Sequence, residues 1–292
     1  MSATPRPRRS LLFVPGSNAR ALEKARSLAA DGLIFDLEDA VTPAAKESAR
    51  ALVAAALADG GYGSRELVLR VNAIDSPWGH ADLAAAATMP LDAVLLPKVE
   101  NPDRVFLTAS LLDAFGAPNP LALWCMLETP RGILYAREIA GASPLAALVL
   151  GTSDLTKNLH ALATRDRLPL VTSLGLVILA ARANGLATLD GVHLDLQDDV
   201  GFTASCRQGR ELGFDGKTVI HPMQIAAANA AFAPTREEIE WSRRIIAAHD
   251  EAAAAGEGVV LVDGRLVENL HVEDARRLLR LADQIEHLPG EN

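Results

Sequence analysis

The chain has 292 residues, of which 49% are hydrophobic and only 4% aromatic, so it can bury a large aliphatic core as one α/β domain with an appendage. A formal net charge of -9 argues against nucleic acid or an anionic membrane as a general partner. No apolar run is long enough to span a bilayer, and the opening residues lack the apolar core of a signal peptide, so we expect a cytoplasmic protein.

Short apolar runs alternate with helix-forming segments through most of the chain. The first run is SLLFVPG at residues 10–16, and apolar residues at helical spacing follow it over residues 18–30. Further strand-like runs lie at residues 32–39, 66–72, 93–99, 121–127, 146–150, 186–196 and 216–221. Parallel neighbours need crossover helices, so eight such runs predict an α/β fold, a (β/α)₈ TIM barrel, over residues 1–233.

The pattern changes after residue 233. A long amphipathic helix is predicted over residues 235–255, with Thr235 as its N-cap. GVVLVDGRLVENL then predicts a β-hairpin that turns at Asp263-Gly264, and a final helix is predicted over residues 271–286. Since a segment of this kind cannot form a core alone, we expect residues 234–292 to be a helix–hairpin–helix lid on the barrel or on a neighbouring subunit.

Two predicted strands end in a carboxylate. LALWCMLETP stops at Glu128, and AALVLGTSD stops at Asp154. Catalytic groups of a (β/α)₈ barrel collect at the C-terminal ends of the strands, where neighbouring strands can reach one ion. Two hard oxygen ligands with room for water and substrate predict Mg²⁺, or alternatively Mn²⁺, rather than zinc. The alternative interpretation of either acid is a helix N-cap.

Other charged residues also follow strand ends. Arg70 lies inside the apolar run LVLRVN, so we expect it to bind a substrate carboxylate or enolate oxygen, or alternatively to pair with Glu38 or Asp39. At least one carboxylate of FDLED must face the barrel mouth, which makes Glu38 and Asp39 candidates for catalysis. For Lys98 we expect an ion pair or a substrate contact rather than a Schiff base. The remaining candidates at strand ends are Asp36, Asp195 and His221.

Eight motifs, in this order, carry a family resemblance: RSLLFVPGSN, FDLEDAV, LVLRVN, LPKVE, ETPRGI, GTSDL, GKTVIHPMQI and DGRLVEN. Together they resemble the citrate lyase β-subunit and malyl-CoA lyase branch of the aldolase/citrate lyase family. The resemblance implies a (β/α)₈ barrel with a C-terminal lid, assembled as a homotrimer or hexamer. It also implies Mg²⁺-dependent cleavage or formation of a carbon–carbon bond in a 3-hydroxyacyl-CoA ester, with coenzyme A as part of the substrate.

The resemblance also assigns roles to individual residues. Glu128 and Asp154 match the metal ligands, and Arg70 matches the substrate-binding arginine. The positions implied to hold coenzyme A are Phe13, Lys24, Arg9, Ile220 and His221, and Ser153 lines the same pocket.

The lid departs from the family pattern at its acid. Relatives usually carry Asp there, followed one position later by Pro, and this residue is thought to handle the enolate proton in a neighbouring subunit's site. The present chain has Glu268, Asn269 and Leu270 instead. Glu268 keeps the carboxyl group but adds a methylene, so the substrate and the reaction can differ from those of the relatives.

Four activities follow from these observations. The first is a Mg²⁺-dependent lyase for a malyl-, citramalyl- or citryl-CoA-like ester. The second is a thioesterase on the same ligands, and the third is a citrate lyase β-subunit that works on an acyl-carrier protein. A pyruvate aldolase independent of coenzyme A is disfavoured by the lid and by the basic residues near the N-terminus.

Overall fold

The computed structural model describes residues 6–118, 121–256 and 258–288. Eight parallel strands form a closed barrel in which each strand pairs with the next and β8 pairs with β1, which confirms the predicted fold. The strands are β1 Ser10–Pro15, β2 Gly32–Asp36, β3 Glu66–Arg70, β4 Ala93–Leu96, β5 Ala122–Leu127, β6 Leu145–Leu150, β7 Ala187–Asp190 and β8 Gly216–Val219.

Helices connect these strands. They are α1 Ala19–Ala25, α2 Lys46–Asp59, α3 Gly79–Ala86, α4 Asp103–Ala114, α5 Pro130–Leu134, α6 Ala136–Ala140, α7 Thr152–Asn158, α8 Val171–Ala183, α9 Asp199–Leu212 and α10 Ile225–Phe232. Short 3₁₀ turns precede α2, α8 and α10 at Pro43–Ala45, Leu168–Leu170 and Pro222–Gln224. Within the described residues, no helix has both the length and the apolar character needed to cross a membrane.

Strand side chains alternate between the barrel interior and the layer beneath the helices. Ile34, Val68 and Met126 belong to one buried cluster with other inward-facing strand residues, whereas their chain neighbours pack in the larger cluster under the helices. Two positions after each of these three residues come Asp36, Arg70 and Glu128. The alternation therefore sends these three charged side chains toward the C-terminal mouth of the barrel.

Several predicted elements end earlier than their sequence patterns suggest, and two of these ends have a clear physical cause. The helix predicted over residues 18–30 ends at Ala25, and the carbonyl of Leu28 instead accepts a hydrogen bond from Nε of Arg65 at 2.7 Å. The strand predicted over residues 32–39 ends at Asp36, because its carboxylate accepts the N–H groups of Glu38 and Ala40 and turns the chain. The turn that follows β2 carries acids of the site.

The chain forms two compact units, of which Arg8–Phe232 contains the barrel. The other unit contains α11 Arg236–Ala254, the hairpin strands β9 Val260–Val262 and β10 Arg265–Val267, and α12 Asn269–Glu286. Its hairpin turns at Asp263 and Gly264, whose φ angles of 49° and 76° are those expected of an Asp-Gly turn. The predicted hairpin and the predicted N-cap at Thr235 are confirmed, and Glu238 completes a capping box there. The last helix begins two residues before the predicted start.

Candidate active site

Arg70 and Asp36 form a buried bidentate ion pair at the barrel mouth. The two residues are register partners on β2 and β3, and their exposed fractions are 7% and 1%. Nε and Nη2 of Arg70 donate to the two oxygens of Asp36 at 2.7 and 2.6 Å. Asp36 thus occupies one edge of the guanidinium, which leaves the Nη1/Nη2 edge to meet other anions.

The turn after β2 supplies two further carboxylates, and we call residues 36–41 the acid turn. Nη1 of Arg70 lies 3.1 Å from Oε2 of Glu38 and 3.9 Å from Oδ2 of Asp39. Nζ of Lys98, at the end of β4, pairs with Oε1 of Glu38 and lies 3.5 Å from Oδ1 of Asp39. Both ion pairs considered for Arg70 from the sequence are therefore present, together with a third to Asp36, and Lys98 forms the expected ion pair.

The two carboxylates of the acid turn differ in acidity. Burial raises the pKa of Glu38, and the charge of Arg70 offsets this only in part. Burial also acts to raise the pKa of Asp39, but the hydrogen bond with Glu38 and the charges of Lys98 and Arg70 outweigh it and lower that pKa. Glu38 therefore holds a proton to higher pH than Asp39 does, and the two titrate as a pair.

Glu128 is a buried acid at the end of β5, with an exposed fraction of 2%. Its Oε1 accepts the backbone N–H of Lys98 at 2.8 Å, while no described residue donates a hydrogen bond to Oε2. Burial raises the pKa of Glu128 to about 8, against the opposing effects of the Lys98 N–H and the charge of Arg70. Without a further cation, the carboxyl group is thus largely protonated near neutral pH.

Gly151, at the end of β6, lies directly against Glu128. A Cβ atom built at this position would lie 2.4 Å from Cβ of Glu128 and 2.5 Å from its Oε2, so only glycine fits there. Three residues later comes Asp154, half-buried in the first turn of α7, and the exposed Ser153 precedes it. The structure thus brings Glu128 next to the segment that carries Asp154.

These residues suit a hard divalent cation. Glu128 offers an oxygen that accepts no hydrogen bond from the described residues, and Asp154 forms no hydrogen bond or ion pair with them. No group of three or more His, Cys, Asp or Glu side chains in the described ranges forms a metal site. Two carboxylates, which leave the other coordination positions to water and substrate, form a donor set that suits Mg²⁺. Burial raises the pKa of Glu128, and a bound cation would favour its ionised form.

The residues assigned to coenzyme A lie on β1, α1 and the segment after β8. The ring of Phe13 lies under the guanidinium of Arg70, with 4.8 Å between the ring centroid and Cζ. Lys24 is exposed in the last turn of α1. After β8, Ile220 is half-buried and donates its N–H to Gln224, and the exposed His221 accepts the N–H of Met223 on Nδ1.

Arg9 lies at the opposite end of the barrel, which corrects its assignment to the coenzyme site. It precedes β1, whereas the acids follow the C-terminal ends of the strands. Its guanidinium is 3% exposed and pairs with Asp31 through Nε and Nη2 at 2.9 and 2.8 Å. The neighbouring Arg8 pairs with Glu66 at 2.6 Å and lies over the ring of Trp124. These arginines therefore close the N-terminal end of the barrel.

Glu268 belongs to the unit that follows the barrel. It is half-buried between β10 and α12, where its backbone N–H donates to Nδ1 of His271 at 3.0 Å. Asp195, another candidate from the sequence, is exposed in the loop after β7. Asp195 takes no part in the ion-pair network that the described residues form around Arg70.

Two contributions to the site were missed from the sequence. Asp36 was grouped with the other acids of FDLED, yet it alone holds Arg70 in a bidentate pair. Lys98 contributes its backbone N–H to Glu128 as well as its side chain to the acid turn, and its φ of 50° allows both. The register of β2 with β3 pairs Asp36 with Arg70, and this signal would have identified the role of Asp36. The sequence holds no comparable signal for the backbone N–H of Lys98.

Comparisons with known proteins agree with this geometry. Residues 9–222 match the HpcH/HpaI aldolase/citrate lyase family. The chain is 50% identical over 280 residues to a (3S)-malyl-CoA thioesterase of Cereibacter sphaeroides, with 96% of each chain covered. It is 38% identical over 282 residues to the citrate lyase subunit beta of Leuconostoc mesenteroides, covering 94% of this chain and 93% of the relative.

Solved structures show the same likeness. The protein CitE from Mycobacterium tuberculosis, in complex with magnesium, acetoacetate and coenzyme A, has a TM-score of 0.79 and 30% identity. That match covers 97% of this chain and all of the CitE chain (100%). A citrate lyase beta subunit complexed with oxaloacetate and magnesium, also from M. tuberculosis, has a TM-score of 0.67 and 32% identity, covering 77% of this chain and 97% of the other.

Proposed function

The chain belongs to the HpcH/HpaI aldolase/citrate lyase family, and on this premise we propose that it is a Mg²⁺-dependent enzyme that hydrolyses the thioester of a malyl-CoA-like substrate. The observation that carries the proposal is the buried Glu128, whose open carboxylate oxygen lies in the same mouth as the guanidinium of Arg70. This arrangement suits a ligand that brings both a chelating acid group and a polarised carbonyl.

In this proposal Glu128 and Asp154 hold the ion. When bound, Mg²⁺ withdraws electron density from the substrate oxygens that it contacts and fixes the acid end of the substrate. Glu128 must lose its proton to take this role, and the nearby positive charge of Arg70 favours that loss. Ser153, beside Asp154, is proposed to contact the same part of the substrate.

Arg70 is proposed to bind a carboxylate or a developing oxyanion of the substrate. Asp36 occupies its Nε/Nη2 edge, so the substrate would meet the Nη1/Nη2 edge and share Nη1 with Glu38, which lies 3.1 Å from it. Phe13 supports the guanidinium from below through a cation–π contact, which limits its rotation. A guanidinium fixed in this way stabilises negative charge that appears during the reaction without having to reorganise.

The acid turn is proposed to move the proton. Glu38 and Asp39 lie within reach of two cations, so one of them can accept a proton from water while the other stays ionised. Attack of that water on the thioester carbonyl breaks the carbon–sulfur bond and releases the free hydroxy acid and coenzyme A. The thiolate that leaves takes up the proton.

The coenzyme is proposed to lie along β1 and the segment after β8. Lys24 is exposed and suits the phosphates of the coenzyme, while Ile220 and His221 offer a mixed apolar and polar surface. We further propose that the lid brings Glu268 to the site in a trimer or hexamer, as the family resemblance implies.

A carbon–carbon lyase on the same substrate class is the second candidate. It is favoured by the 38% identity to a citrate lyase subunit beta and by a CitE structure that holds magnesium, acetoacetate and coenzyme A. We place hydrolysis first because the 50% identity is to a thioesterase and because Glu268 lengthens the lid acid. A β-subunit acting on an acyl-carrier protein would show activity only with the carrier ester.

Product analysis tests the proposal. The enzyme is supplied with malyl-CoA and Mg²⁺, and the products are separated by liquid chromatography. Free malate and coenzyme A are expected, whereas glyoxylate and acetyl-CoA would identify the lyase reaction. Glu128→Gln should abolish turnover, and Glu100→Gln, one strand away, serves as the control. Turnover that persists in EDTA would contradict the role of the metal.

A further inference from the structure

Lys46 is a buried lysine that forms no ion pair with the described carboxylates. It is the first residue of α2, and its exposed fraction is 6%. Its Nζ donates to the backbone carbonyls of Leu37 and Glu38 at 2.8 and 2.6 Å. The ammonium also lies 5.4 Å from the centroid of the Trp78 ring. Burying an ammonium against carbonyls and a ring is costly, so its presence requires an explanation.

The carbonyls that Lys46 binds belong to the acid turn. The carbonyl of Leu37 also accepts Nδ2 of Asn72 at 2.9 Å, and that of Glu38 also accepts the N–H of Val41 at 3.1 Å. Each carbonyl therefore receives two hydrogen bonds. Without the ammonium, each carbonyl would keep one hydrogen bond and lose its charge-assisted one, so the backbone of residues 37 and 38 would be held less tightly.

The side chain of Glu38, in this turn, lies between the two cations of the site, Arg70 and Lys98. Glu38 contacts both Nη1 of Arg70 and Nζ of Lys98. A shift of its Cα position would lengthen one contact or both. The geometry of the acid turn thus determines the position of the Glu38 carboxylate at the mouth of the barrel.

We propose that Lys46 is a positioning residue of the active site, which holds the backbone of the acid turn so that Glu38 reaches Arg70 and Lys98 together. The proposal rests on the proposed function, because it assigns Glu38 to the reaction. Lys46 does not touch the substrate in this scheme. Its effect passes through the main chain of residues 37 and 38.

A buried lysine elsewhere in the chain provides a matched control. Lys217 is fully buried on β8, and its Nζ pairs with Asp190 at 2.8 Å. Gly209 of α9 also lies against Asp190, so this pair sits between the barrel and a helix. Lys217→Met and Lys46→Met therefore remove the same chemical group from two buried places, only one of which is the acid turn.

The kinetic test compares these variants at saturating Mg²⁺. Lys46→Met should lower kcat by roughly 10- to 100-fold, with the Kd for Mg²⁺ within about twofold of the parent, since Glu128 and Asp154 follow other strands, β5 and β6. Lys46→Arg, which keeps the charge, should recover part of kcat. Lys217→Met should lower the melting temperature and leave kcat within about twofold. A Lys46→Met enzyme with the kcat of the parent would overturn the proposal.

Hydrogen–deuterium exchange supplies a readout that does not depend on turnover. The amides of Glu38, Ala40 and Val41 donate within or to the acid turn. Lys46→Met should speed their exchange, whereas Lys217→Met should not. If Lys46→Met does not fold, the neutral donor variant Lys46→Gln is measured in its place, with the same expectation. Unchanged exchange would overturn the proposal, while a parent enzyme that turns over no ester would overturn only the proposed function.

Discussion

The backbone N–H of Lys98 donates to Oε1 of Glu128 at 2.8 Å, while the side chain of the same lysine pairs with Glu38. One residue therefore orients the acid on β5 and neutralises the acid turn. It does so at a φ of 50°, in the left-handed region that costs a residue with a side chain about 1–2 kcal/mol. Such strain persists where the surrounding structure holds it in place, and it concentrates at functional sites.

The two contributions of Lys98 can be separated by substitution. Lys98→Gly keeps the N–H and adopts the left-handed conformation freely, so Mg²⁺ should bind within about threefold of the parent while kcat falls roughly tenfold or more. Lys98→Ile also removes the ammonium, but a β-branched residue disfavours this φ, and Mg²⁺ should bind about tenfold more weakly. Isothermal titration calorimetry measures both affinities. Equal affinities for the two variants would contradict the role of the backbone N–H.

Metal binding should depend on pH through Glu128. The pKa of this carboxyl group is raised to about 8, so below that pH a proton competes with the metal. The affinity for Mg²⁺ should fall about tenfold per pH unit below pH 8, and binding at pH 7 should release a proton. Titrations in two buffers with different ionisation enthalpies measure that release. Glu128→Asn at the same site should show neither effect.

The same shift predicts how the metal-free protein responds to pH. The folded state holds a proton on Glu128 up to about pH 8, whereas the unfolded chain loses it near 4.5. This stabilising contribution is complete below pH 4.5 and is lost as the pH rises through 8. Saturating Mg²⁺ should therefore raise the melting temperature more at pH 8 than at pH 6. A metal effect that is equal at both values would show that Glu128 is not a ligand.

Asp36→Asn tests the ion pair that holds Arg70. The substitution removes the charge that balances a buried guanidinium and should lower the free energy of unfolding by roughly 3 kcal/mol. Because Arg70 then loses its fixed orientation, kcat/KM should fall about 100-fold or more. Asp31→Asn is the control, since Asp31 forms a similar buried pair with Arg9 at the other end of the barrel. That variant should lose stability and keep kcat/KM within about threefold, and an equal loss of activity would contradict the assignment.

Much of the fold was predictable because hydrophobic alternation and turn residues act locally. LVLRVN placed Arg70 on an inward-facing strand position, and Asp263-Gly264 placed the hairpin turn. The sequence predicted Glu38 or Asp39 as an ion-pair partner of Arg70 and missed Asp36, because all three acids lie within one short segment. Choosing among them requires the point where β2 ends, and that point is set by the N–H groups of Glu38 and Ala40, which donate to the carboxylate of Asp36.

Arg9 shows a different limit. A residue that precedes a parallel strand lies at the opposite end from residues that follow one, so the signal against a role in the site was present in the chain order. The basic charge and the family resemblance favoured the other interpretation. Lys46 has no such signal, because its role depends on two carbonyls that only the folded turn brings together.

The buried network around Asp190 should be a major contributor to stability. Asp190 is fully buried, and Nζ of Lys217 and Nη1 of Arg167 lie 2.8 Å from its oxygens. Asp190→Asn leaves two cations without their anion and should lower the free energy of unfolding by roughly 3–5 kcal/mol. The double variant Asp190→Leu with Lys217→Met should be less destabilised than Asp190→Asn alone. Urea unfolding followed by circular dichroism measures both, and the reverse order would contradict this account.

Glu268 offers a test of the lid through the products rather than through the rate alone. If the lid acid handles a proton of the reacting ester, Glu268→Gln should lower turnover by roughly 100-fold, which is the usual scale for a lost general acid or base. Glu268→Asp restores the shorter acid of the family pattern and should raise the share of glyoxylate and acetyl-CoA relative to malate. Glu273→Gln is the control, because Glu273 is exposed one turn along α12 and accepts a local hydrogen bond from Asn269. Liquid chromatography measures the products from malyl-CoA. A Glu268→Gln enzyme with the rate and the products of the parent would show that Glu268 does not transfer a proton in the reaction.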